Sequence, residues 1–318
     1  MKTYIISPDD SGQRLDRFLE KVAPLLPVSF AQRYIRLKRC KVNGKPADRG
    51  CRLLTGDTLE LYINDEFFFR PNEDNAYLAI SNPQPDILFE DANILLALKP
   101  PGQLSHPDGK EYVNTLITHI RAYLYAKSEW NPADSATFRP ALCNRIDRNT
   151  GGIVIAAKNA AALRVIEEKI RNREIEKYYL AAINGTITPP SGRLEGFLFK
   201  DARLNRVYVN DKSSAGSKSA VTEYKTLTAR GGRSLVECRL LTGRTHQIRV
   251  QFAAAGHPLI GDGKYGKADG SGHQALYSYA AEFAFGSPAG ALDYLRGRRF
   301  EVPRDKIGFM RELGFDKA

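Results

Sequence analysis

Asp147 has the surroundings that most suggest chemistry. In "ALCNRIDRNTGG" (141–152) it lies between Arg145 and Arg148, ahead of Asn149, Thr150 and a Gly-Gly pair that enters the apolar run "IVIAA". A nearby cation favours the charged form of a carboxylate, even in a partly dry pocket. Such a group, held in place, can act as a nucleophile or a base. It can equally be a surface carboxylate paired with Arg145 or Arg148, which is worth only about 0–1 kcal/mol. The local sequence leaves both readings open. Gly151 and Gly152 permit tight turns and close approach of a ligand.

Two later segments carry further polar groups. In "EKYYLAAING", strand alternation puts Lys177, Tyr179 and Ala181 on one face and Tyr178 and Leu180 on the other. One tyrosine is expected in the core and the other is free to offer its hydroxyl to a pocket. In "LLTGRTHQIRVQFAAAGHPLIGDGKYG", Arg244 and Arg249 lie five apart on an expected helix that starts near Thr242-Gly243. Arginines pair bidentately with carboxylate or phosphate, and His246 reads as a hydrogen-bonded structural residue. The chain has no GxGxxG after a strand, no GxxxxGK[ST], no HExxH and no GxSxG. Its four cysteines form no CxxC pair and complete no zinc pattern with the histidines. The expectation is chemistry without a metal or cofactor, with the thiols reduced.

The elements that must position these groups fall into two regions. The length of 318 residues suggests two domains, and 15 Phe with 15 Tyr provide for a sizeable core. Residues 1–64 read as a separate unit. "RLDRFLEKV" spaces Leu15, Phe18, Leu19 and Val22 for a helix, and Ser29 is placed to cap a second, "FAQRYIRLKRC", with Ala31, Tyr34 and Ile35 inward. Asn43-Gly44 signals a two-residue hairpin, and "LLTGDTLELYI" alternates as a strand. From 33 to 52 there are eight basic residues and one acid, Asp48; Arg33, Arg36, Lys38, Arg39 and Lys41 begin the run. One-sign clustering of this kind suits phosphate binding, as does the net charge of +11.

Residues 65–84 read as a linker in which Phe67, Phe68 and Phe69 must still pack. After Pro85, strands dominate with helices interspersed: "ILLAL", "GIVIAA", "KYYLAAING", "AVTEYKTL" and "SLVECRLL" against "YVNTLITHIRAYLYA", "AAALRVIEEKIRNR" and "RTHQIRVQFAAAG" closed by Gly256. This predicts an α+β fold with a mixed, mostly antiparallel sheet. The start, "MKTYIISPDD", lacks a signal-like apolar stretch, and no run approaches the roughly 20 apolar residues of a membrane helix, so a cytoplasmic protein is expected.

Three segments together resemble the RluA-type RNA pseudouridine synthases (RluC- and RluD-like). "NRIDRNTGGIVIAAK" is similar to that family's catalytic loop, "KYYLAAINGTI" to its Lys-x-Tyr-x-Ala motif and "GRTHQIRVQFAAAGHPLIGDGKYG" to its long Gly-Arg-Thr-His-Gln-Ile-Arg block. "LALKPPGQLSHP" fits its Lys-Pro-x-Gly strand end. The order holds over roughly 85–300, and residues 1–64 resemble the small S4-like RNA-binding domain of ribosomal small-subunit protein four. The resemblance implies a catalytic domain over 85–318 that isomerises uridine in RNA without a cofactor. It makes Asp147 the catalytic aspartate, Tyr179 the tyrosine near the target base and Arg249 the partner that orients Asp147. Arg145, Thr150 and Arg244 would bind substrate, with Arg33, Arg36, Lys38, Arg39 and Lys41 holding RNA. Asn144, Ile146, Gly151 and Gln251 depart from the family's usual histidine, leucine, serine and histidine; they leave the proposed catalytic groups in place and bear on substrate choice.

The implied partner is RNA, ribosomal first and transfer RNA second, with no membrane and a monomeric chain. A competing reading, an RNA-binding or ribosome-assembly factor without catalysis, does not need Asp147, Tyr179 and Arg249 together. A glycoside hydrolase would need a second carboxylate at a set distance, and no motif supplies one.

Overall fold

The computed structural model describes residues 1–68, 72–132, 138–267 and 272–315. It divides into two units, Met1–Gln84 with His106–Glu129, and Pro85–Ser105 with Trp130–Ala318.

In the first unit, α1 (Leu15–Val22) buries Leu15, Phe18 and Leu19 at the spacing that puts them on one side of a helix. The next helix, α2 (Val28–Arg36), starts two residues earlier than a Ser29 cap would set it. Pro27, with φ fixed at −59°, occupies the N-cap without a side-chain bond, so Ser29 lies inside the first turn and caps nothing. Ile35 is the buried residue of α2. β2 (Cys40–Val42) and β3 (Lys45–Pro46) pair across Asn43 and Gly44, whose φ values of 51° and 75° are those of the expected hairpin turn. With β1 (Lys2–Ile5) and β4 (Thr58–Leu61) they form an antiparallel sheet in the order β1-β4-β2-β3.

Residues 65–84, whose composition reads as a linker, carry 3-10 turns at Asp65–Phe68 and Ala76–Ala79 and bury Phe67, Ala76, Tyr77 and Leu78. They group with the first unit because those aromatic and aliphatic side chains pack there. Phe69 lies outside the described residues. The helix α3 (Leu116–Ala126), capped by the Thr115 hydroxyl, also belongs to this unit rather than to the larger domain, and its Tyr125 meets Tyr77 edge-on at 5.1 Å.

The second unit is built on one sheet of eleven strands among the described residues. They are β5 (Ile87–Glu90), β6 (Ile94–Lys99), β7 (Ala141–Leu142), β8 (Gly151–Ala157), β9 (Glu176–Asn184), β10 (Ser191–Asp201), β11 (Arg206–Asn210), β12 (Lys218–Arg230), β13 (Arg233–Leu240), β14 (Leu276–Glu282) and β15 (Arg299–Glu301). The order is β11-β10-β12-β13-β9-β14-β8-β6-β5, with β15 on β14 and β7 on β8. All pairs are antiparallel except β8–β14, which makes the sheet mixed and mostly antiparallel, as expected. Apolar alternation selects one face for the main core: Leu96 and Leu98, Ile153 and Ile155, and Leu180 and Ala182 pack with Ile166 of α4 (Ala160–Arg171) and Met310 of α6 (Gly308–Glu312). Tyr179 stands on the opposite face of β9 from Leu180. Between β13 and β14 lies α5 (Gln247–Ala254), and Gly256, just past its C-cap Ala255, takes φ 85°.

Candidate active site

The loop from β7 to β8 is tied down at almost every residue, and Asp147 projects from it. The Asn144 side chain accepts the Ile155 N–H at 2.8 Å, and the Ser105 hydroxyl donates to the Ile146 carbonyl at 3.1 Å. Asp147 itself turns the chain, its carbonyl accepting the Thr150 N–H at 3.0 Å. Arg148 exchanges bonds with Gly102, so it is a loop fastener rather than loose surface charge. Gly152 enters β8 at φ 116°, where a Cβ would lie 2.1 Å from the Ser278 carbonyl oxygen; only glycine fits.

Lys99 completes the anchoring from below. It is fully buried at the end of β6 and donates to the carbonyls of Pro100, Gln103 and Arg148 at 2.9, 2.8 and 2.8 Å. Burial pushes its pKa down to about 7 while Asp147 pulls the other way. Three carbonyl acceptors match the three protons of an ammonium, and a neutral amine would turn its lone pair on one of them. The hydrogen bonding therefore favours the charged form over what burial alone dictates.

Arg249 reaches Asp147 from α5. Its Nη1 donates to Asp147 Oδ2 at 2.9 Å, while Nε and Nη2 form a fork with Asp262 at 2.7 and 2.9 Å. Asp262 is fully buried and also accepts the backbone N–H groups of Lys264 and Tyr265. Burial alone would raise the Asp262 carboxyl, but Arg249 outweighs it and holds the pKa below the ordinary value. Burial likewise works against the Arg249 cation, and the two carboxylates more than reverse that. Each is a case of a buried charge made tolerable by its partner.

The start of α5 is fixed by one side chain. Gln247 accepts from the Arg244 N–H and the Thr242 hydroxyl and donates to the Val221 carbonyl and the Thr222 hydroxyl. The helix consequently begins at Gln247, not at Thr242-Gly243, and Arg244 is off it, donating through Nε to the Ser219 carbonyl. Gln251 is a buried hub that accepts from Thr222 and donates to the Leu194 and Ala220 carbonyls.

A cleft of about 700 Å³ joins these parts. Asp147, Tyr179, Arg249, Arg145, Thr150 and Arg244 all line it, together with Asn144, Lys177 and His246. Arg145 is exposed there. Thr150 is buried and accepts from Gln274 at 3.2 Å. Tyr179 is buried, sits opposite Ser278 across β9–β14, and has its phenol pushed up to about 12 by burial, with a Ser278 bond opposing and Asp147 reinforcing the shift. The cleft can thus hold a carboxylate against a fixed cation, beside a neutral phenol.

Arg33, Arg36, Lys38, Arg39 and Lys41 belong to the other unit. All but Lys41 are exposed, and none has a carboxylate partner among the described residues. Lys41 lies over the Tyr62 ring and Arg39 over Tyr34. Asp262, Tyr265, Gln247 and Ser278 carry no role in the sequence reading. Asp262 and Tyr265 sit in "GDGKYG", and an acid close after an arginine-bearing helix was the available signal.

Comparison with known proteins shows which family the chain belongs to. A sequence model described as RNA pseudouridylate synthase matches residues 93–254. The chain is 31% identical over 261 residues to ribosomal large subunit pseudouridine synthase D of Borreliella burgdorferi, covering 79% of this chain and 78% of the relative. It is 31% identical over 326 residues to ribosomal large subunit pseudouridine synthase C of Salmonella typhi, covering 96% and 94%. Human RNA pseudouridylate synthase domain containing 4 shares the fold, with a TM-score of 0.55 at 20% identity over 72% of this chain and 93% of that one. This chain belongs to the RNA pseudouridylate synthase family, in its RluA-type branch, the enzymes that isomerise uridine to pseudouridine in RNA.

Proposed function

We propose that the substrate is large-subunit ribosomal RNA and that Asp147 is the group that acts on the target uridine. The observation that carries the catalytic part is the Arg249 Nη1–Asp147 Oδ2 bond of 2.9 Å in a cleft that also holds Tyr179. The named activities of the two bacterial relatives support the choice of RNA.

The reaction breaks the bond from uracil N1 to ribose C1′, turns the base and joins C5 to C1′; the proton lost from C5 balances the one gained at N1. Asp147 attacks the ribose or the uracil, or removes a ribose proton to give a glycal. Arg249 aims the carboxylate and stabilises its charge. Tyr179 packs against the base. With a pKa near 12 it receives the C5 proton only by giving up its own in the same step. Arg145, Thr150 and Arg244 hold the flipped nucleotide, whose extrusion costs a few kcal/mol.

Residues 1–64 act as an S4-like RNA-binding domain, with Arg33, Arg36, Lys38, Arg39 and Lys41 on phosphates. The chain works as a monomer in the cytoplasm. The test is to map pseudouridines in ribosomal and transfer RNA from cells with and without the gene. One or more large-subunit sites should vanish and return with the wild-type gene. Loss only in transfer RNA would move the substrate, and no loss anywhere would contradict the reading.

A further inference from the structure

His246 precedes α5 with a left-handed backbone, φ 55°, and lines the cleft. Its Nδ1 is 2.7 Å from the Tyr265 hydroxyl, and that hydroxyl oxygen already accepts the Val207 backbone N–H at 2.9 Å. A phenol has one proton to give. The Val207 N–H already occupies one acceptor position, which favours Tyr265 as the donor to Nδ1 and leaves Nδ1 the bare nitrogen of the ring. Burial drives the imidazole pKa down to about 4; Asp147 and Asp262 oppose this, and the Arg249 and Lys264 cations add to it. In that arrangement the neutral ring carries its hydrogen on Nε2.

Nε2 lies 3.8 Å from Asp147 Oδ2, beyond hydrogen-bond range, and has no other partner among the described residues. A donor and a carboxylate acceptor thus face the cleft side by side. An oxygen about 2.8 Å from both would accept from Nε2–H and donate to Oδ2. A hydroxyl has both capacities.

We propose that His246 and Asp147 together bind the 2′-hydroxyl of the target nucleotide, so that the site demands ribose rather than deoxyribose at that position. The inference rests on the reading above that Asp147 acts on the target uridine, and takes the two of its routes that run through the ribose. A carboxylate working at C1′ or C2′ has the 2′-hydroxyl as its neighbour, because the 3′ and 5′ oxygens are tied up in phosphodiesters. A 2′-hydroxyl is also the group by which a protein tells RNA from DNA.

Two measurements on the full chain test it. The first is the ¹⁵N spectrum of the His246 ring in the free protein. A proton on Nε2 is expected; a proton on Nδ1 overturns the proposal. The second uses synthetic RNA containing the mapped uridine, with ribose or 2′-deoxyribose at that one residue. In the wild type the deoxy substrate should lose about tenfold or more in kcat/KM. In H246A the ribose substrate should lose a similar factor, and the deoxy change should then add less than about twofold. H246Q, which keeps an N–H donor, should recover part of the preference for ribose. Losses that multiply independently sink this inference alone. A wild-type enzyme that converts no uridine sinks the functional reading and this inference with it.

Discussion

Asp262 grips Arg249 by Nε and Nη2, so that Nη1 is the nitrogen left to meet Asp147. The guanidinium is planar and its nitrogens are fixed relative to one another. Clamping two of them therefore sets where the third points. Asp262 is fully buried and 115 positions after Asp147 in the chain, yet it determines the angle at which the cation approaches the carboxylate.

Asp262→Asn should accordingly damage both stability and turnover. Breaking one partner from a buried pair costs about 3–5 kcal/mol, read by chemical denaturation. A freed Arg249 should lower kcat by about 100-fold, the scale of a 1 Å misplacement at a reacting group. A variant that denatures early but, at low temperature, turns over at the wild-type rate would show that the clamp is structural only.

His246 should make the protein sensitive to mild acid. Its folded pKa of about 4 is below the ordinary 6.5. Between those values the unfolded chain binds a proton that the folded chain does not, so stability falls as pH drops from 6.5 toward 4. The charged groups acting on the ring are Asp147, Asp262, Arg249 and Lys264. His246→Gln should flatten that part of the denaturation midpoint against pH. An unchanged slope would mean the ring is protonated in the folded state.

At Gly151, where the family resemblance leads one to expect serine, a side chain has little room. A Cβ there would lie 2.6 Å from the Tyr277 ring and 3.2 Å from Pro101. Gly151→Ser should cost about 1–3 kcal/mol through overpacking. Combined with Tyr277→Ala, which opens the space, the serine should cost much less than it does alone. Additive losses in this double-mutant cycle would place the strain elsewhere.

The first unit's cations should act on affinity and not on chemistry. Replacing Arg33, Arg36, Lys38 and Arg39 with alanine should weaken RNA binding at low salt. It should also flatten the plot of log affinity against log salt by about 0.7–0.9 per phosphate contact removed. Turnover at saturating RNA should hold. An unchanged salt slope would assign the exposed cluster to solubility.

Strand and helix spacing made the larger domain legible, since the short unbroken apolar runs at 94–98 and 152–157 and the apolar stretch within 176–184 read as buried strands. The pairing of Asp147 with Arg249 was accessible only through resemblance, because 102 residues separate them and nothing local favours Arg249 over Arg145. Asp262 and Tyr265 stayed silent for a related reason: an acid and a tyrosine among glycines read as a surface turn until the fold brings them under α5. The stretch 65–84 misled through composition, where acidic and amide residues outvoted Phe67, Tyr77 and Leu78. The start of α5 was misplaced because Gln247 fixes it through long-range bonds to β12, which no capping pattern displays.

The central claim is that Asp147 performs the chemistry and that the rest of the site serves it. The direct measurement is pseudouridine formation by Asp147→Asn on the RNA that the wild type modifies, with binding to the same RNA measured in parallel. The substitution keeps the side chain's size and removes its charge. Conversion should fall below detection while RNA affinity and the unfolding midpoint stay close to wild type. Conversion at an undiminished rate would contradict the assignment of Asp147 and, with it, the roles given to Arg249 and Asp262.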